Sequence, residues 1–148
     1  MTNLRLNFLQ FASLFSARIK TIIAGYNKSL PDEIRPFIED NLWLARNPAG
    51  TNARNRTNKL YNRTGNLAAA LRVNNVGNIF NVINKKDSSE VEYGINLTRI
   101  PYAQYHEFGT SKMRARPFIK PGIESFRRER LKILQNKLVD DIKKAWNK

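Results

Sequence analysis

From Val91 to Thr98 the chain alternates without a break, with Val91, Tyr93, Ile95 and Leu97 set against Glu92, Gly94, Asn96 and Thr98. A period of two puts all four large apolar side chains on one face of a strand, so the strand must have a core to lie on. Upstream, Ile79-Phe80-Asn81-Val82-Ile83 reads as a second strand, and Lys85–Ser89 as the turn between them. The two form an antiparallel hairpin. A lone hairpin is marginal in water, so the reading also requires a further strand, either Val73–Val76 or Arg116–Ile119, and helices to cover one face.

Helical periodicity supplies the cover. Leu4, Phe8, Phe11, Phe15, Ile19 and Ile22 recur at spacings of three and four, which predicts an amphipathic helix ending near Gly25. After a turn at Asn27-Lys28-Ser29, a second helix is expected from Pro31 or Pro36 to Arg46, with Ile34, Phe37, Ile38, Leu42 and Ala45 on one face. Thr64 is placed to cap a short helix running through Leu71. From Pro121 to Trp146, Ile123, Phe126, Leu131, Leu134, Leu138, Ile142 and Trp146 form the apolar face of a long final helix. The expected fold is therefore α+β: a small antiparallel sheet packed against long N- and C-terminal helices. At 148 residues and 41% apolar the chain suits one domain spanning 1–148.

Several chemistries are disfavoured by what the chain lacks. It has no cysteine and one histidine, His106, which removes disulfides, thiolate metal sites and a histidine cluster together. No cofactor and no metal are expected. His106-Glu107 lacks a nucleophile or a second histidine beside it, and Asp87, Glu90 and Glu92 read as exposed acids of a hairpin, so no catalytic residues and no enzyme activity are expected. The N-terminus carries neither a signal-peptide core nor a membrane span, and the chain reads as soluble.

Charge points to partners. Lys and Arg number 26 against 12 acids, a formal net charge of +14. From Asn41 to Lys86 there is no acid at all, while Arg46, Arg54, Arg56, Lys59, Arg63, Arg72, Lys85 and Lys86 accumulate. Such a field favours nucleic acid, a phosphate surface or an acidic protein face. Within this stretch, residues 47–63 are rich in Asn, Arg, Thr and Gly and too long for an ordinary connection, so the reading expects a basic loop that is mobile or ordered only by a partner. Zinc-ligand spacings, ribonucleoprotein aromatic phrases and helix-turn-helix signatures are all missing, but a phosphate-facing surface needs only charge.

The densest punctuation lies between Pro101 and Pro121. Pro101 can open a helix and Gly109 can end it, so Tyr102-Ala103-Gln104-Tyr105-His106-Glu107-Phe108 reads as one short helical turn. Lys112, Arg114, Arg116 and Lys120 then follow with no acid between Phe108 and Ile123, while Pro117 and Pro121 hold the backbone extended. Glu107 is expected to pair with Arg114 or Arg116.

The phrase Tyr102-Ala103-Gln104-Tyr105-His106-Glu107-Phe108-Gly109, the basic loop, and then Arg114-Ala115-Arg116-Pro117-Phe118 resemble the tail-completion, or neck, proteins of tailed bacteriophages and the related virion-morphogenesis proteins. Thr64-Gly65-Asn66-Leu67 with Ala70-Leu71 is similar to a phrase those proteins carry upstream. The resemblance runs from Thr64 to Glu124. It implies a structural virion protein with no catalytic role: a head–tail joining or tail-completion subunit in a homo-oligomeric ring, hexameric or dodecameric, around the DNA channel near the portal. Its partners would be further copies, portal or adaptor proteins, tail proteins and, without sequence preference, genomic DNA. It would be assembled in the host bacterial cytoplasm and reside in the neck or tail of the virion. Tyr102, Tyr105, His106, Glu107, Phe108, Gly109, Arg116, Pro117 and Phe118 are the candidate interface, and Arg54, Arg56, Lys59, Lys112 and Arg114 the candidate DNA-facing residues. The alternative is a non-specific basic nucleic-acid-binding protein.

Overall fold

A computed structural model of the chain describes residues 4–8, 17–43, 60–61, 65–85 and 89–147. In chain order the elements are strand β1 (Leu4–Phe8), helix α1 (Ala17–Glu39), strands β2 (Leu42–Trp43) and β3 (Leu60–Tyr61), helix α2 (Asn66–Ala70), strands β4 (Asn78–Asn84) and β5 (Ser89–Ile95), and helices α3 (Tyr102–Phe108), α4 (Ile119–Phe126) and α5 (Lys132–Trp146). A π-helical turn, Arg127–Leu131, joins α4 to α5 into one continuous rod. The class is α+β as expected: a small antiparallel sheet and long helices share one hydrophobic core.

The hairpin forms as its alternation requires. β4 and β5 pair antiparallel with Phe80 opposite Tyr93 and Val82 opposite Val91. Val91, Tyr93 and Ile95 are each 1% exposed, the buried face that the period of two demands. Tyr93 goes deepest, donating its hydroxyl to the carbonyl of Leu71 after α2. Burial, above all, holds its pKa well above the ordinary phenol value.

The third strand is neither segment that the sequence suggested. β1 takes the other side of β5, with Leu4 opposite Tyr93 and Leu6 opposite Val91, so Leu4 to Phe8 is a strand and not the opening of a helix. Leu4, Leu6 and Phe8 also fit a period of two, and the central strand, with a free edge to satisfy, selects that reading over the helical one. Val76 instead stands 78% exposed in a turn, and Phe118 and Ile119 begin α4.

Two expected N-terminal helices are replaced by one. α1 runs from Ala17 to Glu39 straight through Asn27-Lys28-Ser29 and contains both Pro31 and Pro36. Ile19, Ile23, Leu30, Ile34 and Ile38 are all buried, with Asn27 on the same stripe at 1% exposed. Each proline removes one intrahelical bond, at a cost of about 3 kcal/mol in an isolated helix. The apolar residues of the stripe offset it, since each buried Ile or Leu contributes about 1.5–3 kcal/mol. Asn27 keeps a partner there by donating to Ser89 Oγ at 2.6 Å. At its end α1 stops before Arg46, because Asn41 turns its side-chain amide back onto the Phe37 carbonyl at 2.9 Å. Leu42–Trp43 then pairs in parallel with Leu60–Tyr61. The rest of the expected basic loop 47–63 lies outside the described residues.

The C-terminal rod packs along α1. Phe126 is fully buried and meets Phe37 edge to face, centroids 5.7 Å apart at 74°. Gly122 marks the closest approach: a Cβ there would lie 2.6 Å from the Cα of Ile38, so no side chain fits between the helices. Polar ties flank the seam, with Arg130 donating to both Glu33 carboxylate oxygens at 2.8 and 3.3 Å and the Tyr26 hydroxyl donating to Asp141 Oδ2 at 2.8 Å. Among the described residues no helix is long and apolar enough to cross a membrane.

Candidate functional site

The site is the stretch from α3 to the start of α4. α3 opens at Pro101 (φ −64°), whose fixed φ is already helical. Its inward face is Ala103 and Glu107, one turn apart and both buried, while Tyr102, Tyr105 and Phe108 recur every third residue on the outward side at 37%, 47% and 63% exposure. Gly109 ends the helix as expected, with φ 75° and ψ 179°, a conformation essentially confined to glycine. A Cβ at Gly109 would also come within 2.8 Å of the Ala115 amide nitrogen.

The chain then doubles back. Thr110 and Met113 exchange backbone bonds across a tight turn, and the Arg116 N–H reaches the His106 carbonyl at 2.7 Å. This return places the start of α4 directly under Glu107. Glu107 Oε2 accepts from the amides of Phe118 and Ile119 at 2.9 and 3.0 Å, and Oε1 accepts from that of Lys120 at 2.9 Å. The next residue is Pro121, which has no N–H to satisfy. One carboxylate satisfies the three N–H donors of the helix start and proline leaves the fourth position without one, where Phe118 offers no side-chain cap of its own. The negative charge also sits at the positive end of the helix dipole.

This corrects the expected pairing of Glu107 with Arg114 or Arg116: among the described residues Glu107 forms no ion pair, because backbone amides occupy its oxygens. Glu107 is 5% exposed and Phe118 is fully buried, so neither offers a surface to a partner, and changing Phe118 to Asp would disrupt the core instead of selectively blocking assembly. Of the other candidate interface residues, Tyr102, Tyr105, Phe108, Arg116 and Pro117 are exposed, and His106 and Gly109 are half-buried. Lys112 and Arg114 are exposed as well, whereas Arg54, Arg56 and Lys59 lie outside the described residues. The upstream phrase also changes role: α2 is capped by Gly65 at φ 81°, and Thr64 is outside the described residues.

The outward surface combines aromatic rings with unneutralised charge. Lys112, Arg114, Arg116 and Lys120 have no carboxylate partner among the described residues. Beside Phe108 a groove of about 260 Å³ opens over Ile119 and Ile123, with Lys120, Glu124 and Arg127 around it. His106 packs edge to face on Tyr102, centroids 6.2 Å apart. Among the described residues no group of His, Asp and Glu is placed to hold a metal ion. Glu90 pairs with Lys85 at 2.5 Å and Glu92 accepts from Asn81 at 3.1 Å, while Asp87 is outside the described residues.

His106 gives this site a pH signature. Burial lowers its pKa below the ordinary 6.5, and the Arg116 guanidinium lowers it further. The unfolded chain therefore takes up a proton more readily than the folded one, so this contribution is complete above pH 6.5 and is lost as pH falls through the folded-state pKa. His106 is the chain's only histidine. His106→Gln should flatten the decline in unfolding free energy as pH falls below 6.5, measured by urea titration at each pH. An unchanged slope would show that the ring is not held neutral by its surroundings.

No family model, curated protein or solved structure matches the chain. The clamp missed by sequence reasoning had a signal all the same. Glu107 is the last acid before a long basic stretch, and the helix after it starts with no Ser, Thr, Asp or Asn to cap it.

Proposed function

We propose that this chain is a structural subunit of a tailed-phage virion, a neck or tail-completion protein that assembles with copies of itself around the DNA passage and has no catalytic role. The observation that carries the reading is the use of the Tyr102–Pro121 phrase. Its buried members, Glu107 and Phe118, lock α3 to α4, and its exposed members set Tyr102, Tyr105 and Phe108 beside cations with no carboxylate partner among the described residues. An exposed aromatic patch on a backbone fixed by the Glu107 hydrogen bonds suits protein contact, because aromatic side chains bury much area with few rotatable bonds. The cations Lys112, Arg114, Arg116 and Lys120 suit a passing polyanion that must slide, since phosphate contacts position without specifying sequence.

The test is location. Chain labelled at its C-terminus should be found at the head–tail junction of particles purified from cells that encode it, and Tyr105→Asp with Phe108→Asp should lower its incorporation at least about tenfold, as expected when charges are forced into an apolar contact. A label elsewhere, or particles lacking the chain, overturns the proposal. The nucleic-acid-binding alternative is favoured by the same cations and predicts something else: a chain that stays a monomer or dimer without DNA and is not found at the head–tail junction. The neck reading expects weak, sequence-indifferent DNA binding with a slope of about −0.9 in log K against log salt for each phosphate contacted.

A further inference from the structure

Among the described residues no strand pairs with the edge of β4 away from β5. Apart from the ladder to β5, no backbone hydrogen bond among the described residues reaches residues 79–84. Proteins ordinarily blunt such an edge with Lys, Pro or inward charge. β4, Asn-Ile-Phe-Asn-Val-Ile-Asn, has none of these. The core beneath it is unfinished as well. Phe80 and Val82 share a sheet face with Tyr93 and Val91, yet the β5 residues are 1% exposed while the β4 residues stay half-buried. On the opposite face Ile83 is 40% exposed.

Charge identifies the occupant. Copies of a chain with net charge +14 repel, so an uncharged surface is the least costly place for them to meet. The two longest uncharged runs in the sequence are residues 6–17 and 73–84, and each contains an edge of the same sheet: most of β1 in the first, all of β4 in the second. The outer edge of β1 has no strand partner among the described residues either. We propose that the outer edge of β4 receives the β1 edge of a second copy of this chain, head to tail. The inference rests on the self-assembling reading above and names the surface through which copies meet. Two unlike edges make a heterologous contact, which closes into a ring when the rotation allows, whereas β4 on β4 would stop at a dimer. β1 and β4 are both antiparallel to β5, so the new pair is parallel when copies turn about an axis along the strands.

The full-length chain, free of cysteine, suits a direct test. With Asn7→Cys and Asn81→Cys in one chain, a short bis-maleimide should give a ladder of cross-linked oligomers, and neither single variant should. Asn81→Lys with Ile83→Lys, both at exposed positions on the face away from the core, should weaken self-association about tenfold or more in light scattering, with circular dichroism and thermal midpoint unchanged. Dimers from Asn81→Cys alone, or oligomers indifferent to the two lysines, overturn the head-to-tail contact. If the chain is found at the neck while the lysine variant assembles normally, only this inference falls. A wild-type chain that stays monomeric at every concentration overturns it together with the ring.

Discussion

Glu107→Ala should lower the unfolding free energy by about 3–5 kcal/mol, because two buried amides and one partly buried amide lose a charged acceptor at once. No neighbouring side chain replaces it, since Phe118 makes no cap of its own. Urea denaturation is the measurement. Glu107→Gln keeps the shape and one oxygen but turns an amide NH₂ toward a backbone N–H, so it should lose less, about 1–2 kcal/mol. A change below about 1 kcal/mol for the alanine variant would mean that α4 finds its donors another acceptor.

Gly109→Ala is the second large effect. The residue is held at φ 75° and ψ 179°, and its missing Cβ would lie 2.8 Å from the Ala115 nitrogen and 2.9 Å from the Met113 oxygen. Strain and overlap together should cost about 2–5 kcal/mol. Gly65→Ala is the internal control. Gly65 sits at φ 81° and ψ −6°, a left-handed region that other residues can enter, and an added Cβ would meet nothing within 4 Å. Its cost should be only about 1–2 kcal/mol. Equal losses at the two glycines would show that backbone angle alone, and not the return of the chain against α3, sets the demand at Gly109.

Both predictions fall within the stretch from α3 to the start of α4, and both assign its residues to construction. Glu107, Gly109 and Phe118 fix the relation of α3 to α4, while Tyr102, Tyr105 and Phe108 are what the fixed geometry displays. Change at the exposed aromatics should alter contacts with little loss of stability. Change at the clamp should alter stability first.

The sequence by itself determined the elements whose periods have one reading. Val91, Tyr93 and Ile95 could turn to one core only as a strand, although it ends at Ile95 and leaves Leu97 half-buried in the turn beyond, and residues 121–146 could align their apolar side chains only as a helix. Pro101 and Gly109 bounded α3 because their backbone preferences are local. Tertiary structure decided the segments where two readings were open. Leu4–Phe8 satisfied both periods, and the unpaired edge of β5 chose the strand. Pro31 and Pro36 argued for a break in α1, but burial of the stripe from Ile19 to Ile38 outweighed two lost hydrogen bonds. Glu107 had two chemically reasonable partners, and the helix start beneath it supplied more donors than any arginine nearby. Local preferences are properties of a few neighbouring residues, whereas a free strand edge, a shared core and an uncapped helix exist only once distant segments have met.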